Sequence, residues 1–250
     1  DEAELGAYLS WGVTRVRNMS GLPFHLTLAE QIEAGAVMGP HLVTTGPILN
    51  SAGPNAQVNQ MKIDASMSAD LDAAASGARR FEALGYDGLK IAELQHDPFL
   101  ALTLAADATD RIELMTSVAV AFARNPMSTA QLAHDLNAFS RGRFILGLGT
   151  QVKAHVTRRF GMPWHHGPDQ MQEFLEALHH IFDHFYEDEP LEFEGDYYRH
   201  TLMPKTFKPT NIHAGRPRIL LSATGPKMTV VAAESADGLI MHPFSTEDYI

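Results

Sequence analysis

Three features of the chain predict an α/β protein built on a largely parallel sheet. Two apolar runs, Ile112, Leu114, Met115, Val118 and Val120, then Phe144, Ile145, Leu146 and Leu148, are too short for helices. Strands that are apolar on both faces belong to parallel sheets covered on either side. Between the runs, Met127, Ala130, Leu136 and Phe139 trace an approximate helical stripe, with Leu132 off phase, and Arg141-Gly142 supplies a stop. Residues 111–150 therefore read as one βαβ unit, whose loops present chemistry at the C-terminal ends of the strands.

The other elements follow in order. Residues 4–11 fit a helix closed by Gly12, residues 13–17 a strand, residues 25–34 a helix ended by Gly35, and residues 41–45 a strand broken by Gly46-Pro47. Residues 51–60 lack periodicity and read as a linker. A strand is expected at 62–66. The helix at 70–84 is expected to bury Leu71, Ala74, Ala75, Ala78, Phe81 and Leu84, with Gly85 ending it. A strand at 88–93, a polar loop through Phe99 and an alanine-rich helix at 100–109 lead into the central unit. Residues 151–215 form a long excursion, with a helix at 171–186 and a β-hairpin around Gly195-Asp196; its length suggests an insertion acting as a lid. A strand at 218–222, a helix at 227–235 and a strand at 238–242 complete the pattern.

Two leading strands and six later ones make eight, the number that closes a (β/α)8 barrel. The alternative is a six-unit barrel with a loosely attached leader, which would leave open sheet edges.

Composition narrows the function. With 250 residues, 45% hydrophobic, the chain can bury a large core, and its formal net charge of −11 argues against non-specific binding to nucleic acid or anionic membranes. It has no cysteine, so disulfides, thiolate catalysis and cysteine-bound zinc are absent. No apolar run reaches the length of a membrane span and no signal peptide opens the chain, so a cytoplasmic protein is expected. It starts at Asp1 and stops at Ile250 within helical patterns, so both ends are expected to be cut.

The segments TSVAV, ARNPMSTAQ and LNAFSRGRFILGLGT resemble the bacterial-luciferase-like family of flavin or deazaflavin oxidoreductases, from about Met61 to Ile250. The resemblance implies a barrel truncated at its C-terminus, a ring cofactor in the barrel mouth and a small organic substrate. Coenzyme F420 comes first, because ARNPMSTAQ and SATGP are similar to the deazaflavin branch, and FMN second. F420 implies hydride transfer, while FMN with oxygen implies monooxygenation. Residues 1–50, through WGVTRVRNMSG, HLTLAEQIEAG and MGPHLVTTGPIL, resemble the metal-dependent amidohydrolase superfamily, but the chain lacks that family's His-x-His pair and its later ligands. A chimera is thus expected, its two leading units standing in for the last two of the barrel.

Specific residues carry the expected chemistry. The resemblance implies a bulge with a non-prolyl cis peptide after Thr116, at Ser117–Val118, supporting the central ring of the cofactor. Gly149-Thr150 ends a strand where glycine permits close approach and a hydroxyl can bond a ring oxygen, although glycines also end many buried strands. Ser222, Ala223, Thr224 and Gly225 lie between a strand and a helix, a natural anion site, and the resemblance places the cofactor phosphate there; a plain N-cap by Ser222 or Thr224 is the alternative. Glu93 stands where the family commonly has an acid, and it could orient substrate or donate a proton, or form a salt bridge to a neighbouring loop. Leu94 follows where the family often has histidine, which removes the usual base of the light-emitting branch. His96 is the second proton-donor candidate, with a surface histidine as the alternative.

His165, His166, His179, His180 and His184 invite a metal reading, yet no HExxH accompanies them and no metal is expected. Trp164 could cap the cofactor or simply pack. Two other functions stay open: a folded but inactive chimeric scaffold, and, with its ligands missing, a metal-dependent amidohydrolase. Pairing of two copies as a homodimer is a further expectation.

Overall fold

The computed structural model describes residues 15–18, 34, 41–44 and 62–241. The helix expected at 4–11, most of that at 25–34, and the linker at 51–60 lie outside the described residues. Strands β1 (Arg15–Asn18), β2 (His41–Thr44), β3 (Asp64–Met67), β4 (Gly88–Ile91), β5 (Glu113–Thr116), β6 (Ala119–Val120) and β7 (Phe144–Gly149) belong to one sheet. A two-stranded antiparallel hairpin, β8 (Phe193–Glu194) and β9 (Arg199–His200), stands apart, and β10 (Arg218–Ser222) and β11 (Gly238–Met241) return to the main sheet. Its order is β2-β1-β11-β10-β7-β5-β4-β3, with β6 also on β7, and every pairing is parallel. The two leading strands thus follow β11 in the sheet order. Among the described residues, β2 and β3 are the end strands of the sheet.

The sheet curls. On its concave side Lys62 Nζ, just before β3, and Arg218 Nη2, on β10, both donate to Glu113 Oε1 on β5, the strand midway between them, at 2.7 and 2.5 Å. The concave face then continues upward through Met115, Ile145, Leu220 and Ile240, a small apolar cluster of its own. Their neighbours Leu114, Phe144, Leu146, Ile219, Leu221, Leu239 and Met241 point the other way, into the main core beneath the helices. This alternation is the period-two side-chain geometry of strands, with both faces covered.

Among the described residues six helices accompany the sheet: α1 (Leu71–Ala83), α2 (Pro98–Ala108), α3 (Pro126–Phe139), α4 (Lys153–Arg158), α5 (Gly167–Glu187) and α6 (Pro226–Ser235). α1 packs on α2, α2 on α3, α3 on α5 and α5 on α6, following the order of their strands. Asp70 and Asp97 cap α1 and α2, and Asn125 caps α3 by accepting from Ser128 N.

Three expectations are corrected. α3 buries Ala130 and Leu136 of the predicted stripe, but its buried face is rotated toward Pro126, Thr129, Ala133, His134 and Asn137, and it leaves Phe139 exposed. The rotation follows from polar partners: His134 binds the Tyr186 hydroxyl at 2.8 Å and Asn211 Oδ1 at 2.9 Å, and Asn137 donates to Gly215 O. Burial there pushes the Tyr186 phenol up to about 12. On α1 only Ala74 and Ala78 are fully buried, while Leu71 and Leu84 are exposed, because the helix meets its neighbours through small residues. A Cβ on Gly77 would sit 2.7 Å from Met67 Sδ.

The stretch at 151–215 is divided rather than being one insertion. α5 buries Met171, Phe174, Leu175, Leu178, Ile181, Phe182 and Phe185 in the main core and serves as the crossover helix between β7 and β10. The hairpin forms where expected, its turn held by Glu173, which accepts from the backbone N–H groups of Asp196, Tyr197 and Tyr198.

Candidate active site

The register of β5 and β6 against β7 defines the centre of the site. Met115 pairs with Ile145 and Ala119 with Leu148, four steps on one strand against three on the other. One residue is therefore extra, which makes a bulge at Ser117–Val118, and that peptide bond is cis, as the resemblance implied. The insertion reverses the alternation. Val118 joins the concave cluster with Met115, and Ala119 joins the outer core.

The ladder register passes over Leu146 and Gly147, and a side chain fills in. Thr116 Oγ1 donates to Gly147 O at 2.8 Å and accepts from Gly147 N at 2.9 Å, all of it buried. Gly147 permits this approach, since a Cβ there would lie 1.9 Å from Thr116 O.

The tip of β7 meets its neighbours on both sides. A Cβ on Gly149 would lie 2.7 Å from Val118 Cγ2 and 3.7 Å from Ser222 Cβ. The strand ends after Met115, Leu148 and Leu221 thus converge on one spot at the C-terminal edge of the sheet. Thr150 follows directly, half-buried, and Gln151 turns the chain with φ 61°.

Beyond β10, Ala223 is buried and Thr224 exposed. Gly225 caps α6 in an extended conformation with no side-chain hydrogen bond, and Pro226 occupies the first turn. Neither Ser222 nor Thr224 takes the N-cap role. A Cβ on Gly225 would meet nothing within 4 Å. Uncapped amides beside open space suit an anion, so the residues present fit a ring lying against Val118 and Gly149 with a phosphate at Ser222–Gly225.

On the other side of the bulge lies a network of charge. Glu93 N donates to Val118 O at 3.2 Å, and Glu93 Oε2 accepts from Val120 N at 2.8 Å and from Arg124 Nη1 at 2.6 Å. Arg124 Nη2 reaches Asp97 Oδ2 at 2.7 Å, and its guanidinium lies 5.4 Å from the centroid of the Phe99 ring. Glu93 is thus buried in a salt bridge to the loop after β6, the arrangement weighed as the alternative to proton transfer. His96 is exposed on the loop after β4. Sequence reading did not single out Arg124; the available signal was a lone arginine between an apolar strand and Asn125-Pro126, with acids at 93 and 97 waiting for a partner.

Over the mouth, Arg159 Nη2 donates to Leu94 O at 2.5 Å, tying the α4 region to the loop after β4. Trp164 packs edge-on against Phe122 with centroids 5.4 Å apart. The histidines are dispersed among separate partners: His165 lies against Tyr197, His180 against Phe193, His179 Nε2 bonds Ser235 O, and His184 Nδ1 bonds Glu189 O. Among the described residues no three His, Cys, Asp or Glu side chains group as a metal site, and no helix is long and apolar enough to cross a membrane. In the hairpin, burial raises the Tyr198 phenol above its ordinary range despite its bond to Gln170.

A curled parallel sheet carries glycines and a bulge at its C-terminal edge, the end at which barrel enzymes build their sites. The family model for luciferase-like monooxygenases matches residues 48–250, and the chain belongs to that family. An uncharacterised protein of Mycobacterium tuberculosis is 44% identical over 191 residues, 76% of this chain and 56% of that protein. An F420-dependent glucose-6-phosphate dehydrogenase of Intrasporangium calvum is 31% identical, with 64% of this chain and 51% of the enzyme aligned. A 5,10-methylenetetrahydromethanopterin reductase of Methanolobus tindarius is 30% identical over 69% of this chain and 50% of the enzyme. The chain thus spans about half the length of these curated relatives. The fold is similar to that of the coenzyme F420-dependent tetrahydromethanopterin reductase of Methanopyrus kandleri (TM-score 0.60, 23% identity, 72% of this chain and 55% of that one). It is also similar to the FMN-bound oxygenating constituent of 3,6-diketocamphane monooxygenase from Pseudomonas putida (TM-score 0.54, 19% identity, 63% and 49%). These matches give no support to the amidohydrolase likeness of residues 1–50 or to a chimera of two families.

Proposed function

We propose that this chain is the cofactor-binding part of an oxidoreductase that passes hydride between coenzyme F420 and a small organic substrate. The observation that carries the reading is the meeting of Val118, Gly149 and Ser222 at one edge of the sheet. Two of the relatives reported above are F420-dependent in name or title, which favours the deazaflavin. Ser117, Val118, Gly149 and Thr150 would hold the ring, and Ser222, Ala223, Thr224 and Gly225 the phosphate. When bound, the cofactor supplies or accepts the hydride. The protein's part is to place the substrate over that ring and keep water away from it. Proton delivery falls to His96, exposed on the loop after β4, while Glu93 on the same loop is held in its salt bridge to Arg124.

FMN with oxygen, giving monooxygenation, is the second cofactor reading, favoured by the FMN-bound neighbour. We also infer that β1 and β2 stand in for the last two strands of the eight, which their place after β11 supports.

The test is titration of the purified protein with F420 and with FMN, followed by fluorescence. Saturable F420 binding with FMN binding more weakly is expected. The reverse order assigns the monooxygenase branch. Binding of neither leaves an inactive scaffold and ends the oxidoreductase reading, and stoichiometric zinc would reopen hydrolysis.

A further inference from the structure

The bulge between β5 and β6 is flanked by β7, which pairs with β6, and on its other side by polar contacts from the β4 end. Ser117 N donates to Ile91 O at 2.7 Å at the end of β4, and three further polar groups of the loop go to two side chains or their backbone. Val118 O accepts from Glu93 N, Val120 N donates to Glu93 Oε2, and Val120 O accepts from Arg124 Nη1 at 3.2 Å. Glu93 and Arg124 then close on each other, with side chains only 7% and 12% exposed. Arg124 is itself fixed by Asp97 and the Phe99 ring. Asp97 is fixed in turn, since its Oδ1 accepts from Phe99 N at the start of α2.

We propose that Glu93 and Arg124 are positioning residues: a buried clamp that sets the Val118–Val120 backbone to receive the ring cofactor, with Glu93 carrying no proton in the reaction. The chemistry favours this role. Oε2 of Glu93 is occupied by two donors, and both of those donors are committed to the bulge. A planar guanidinium suits the task because it serves Glu93, Val120 O and Asp97 in one fixed geometry, which a lysine cannot do. Position 93 thereby couples the end of β4 to the spot where Val118 faces Gly149.

The cofactor arm of the test rests on the oxidoreductase reading; the backbone arm does not. Amide hydrogen exchange at Val120 is measured in the cofactor-free wild type, E93Q, E93L, R124K and R124M, and F420 and FMN affinities are measured alongside. E93Q keeps an oxygen acceptor for Val120 N, so exchange and affinity should change by less than about threefold, whereas E93L and R124M should each speed exchange and weaken binding by roughly tenfold or more. R124K should fall between them. Unchanged Val120 exchange in E93L and R124M overturns the clamp. So does an E93Q protein with wild-type exchange and affinity but no hydride transfer, because that pattern marks Glu93 as the proton carrier. If the wild type binds neither cofactor while E93L still opens the Val120 amide, the clamp stands and only the oxidoreductase reading falls.

Discussion

The base and the mouth of the curled sheet are built from different materials. At the base, the concave face is closed by long charged side chains, with Lys62 and Arg218 meeting on Glu113. At the mouth, Gly147 and Gly149 let the strand ends at Thr116, Val118 and Ser222 approach closely, and charge is kept to the side in the Glu93–Arg124 pair. Flexible side chains at the base absorb small changes. At the mouth Gly147 faces the Thr116 carbonyl, backbone that cannot swing aside, so small changes are not absorbed there. The difference separates a stabilising end from a working end, as in barrel enzymes generally.

The sharpest way to break that contrast is G147A. Its Cβ would press on Thr116 O at 1.9 Å and on Ile240 Cδ1 at 2.8 Å, so denaturant unfolding should show a loss of about 3 kcal/mol. Next comes T116V, which keeps the shape but strands the N–H and C=O of Gly147; about 2 kcal/mol of stability should go, read from the same curves.

G149A tests function rather than stability. The new methyl meets Val118 Cγ2, a side chain that can give a little, so folding should suffer by only about 1 kcal/mol. Cofactor affinity should fall roughly tenfold if the ring lies where that methyl projects. An affinity equal to wild type would place the cofactor elsewhere.

K62M, at the base, should cost the least, about 0.5 kcal/mol, since Lys62 is 39% exposed and Glu113 retains Arg218. Thermal melting at low and high salt should separate it little from wild type. A large loss there would show that both ends of the sheet are equally intolerant and would dissolve the comparison.

Much of the scaffold was legible because its signals are local. Short two-faced apolar runs announced β5 and β7, Arg141-Gly142 stopped α3 with φ values of 58° and 83°, and Gly195-Asp196 marked the hairpin. The site was legible in part. The resemblance pointed to the cis bond at Ser117–Val118 and to the glycine strand end, but not to Arg124, whose importance depends on two acids 31 and 27 residues away. The stripe on α3 was misjudged at Phe139 because His134 and Asn137 found partners at 211 and 215, which no helical period records.

By itself, then, the chain's order of residues determined the strands, the helices and their alternation, since period and turn chemistry act between near neighbours. Which face of α3 turns inward, how one extra residue between Met115 and Ala119 redirects Val118, and which arginine grips Glu93 were decided only in three dimensions. Those outcomes depend on groups brought together by the curl of the sheet, where burial makes each unpaired donor or acceptor too costly to leave alone.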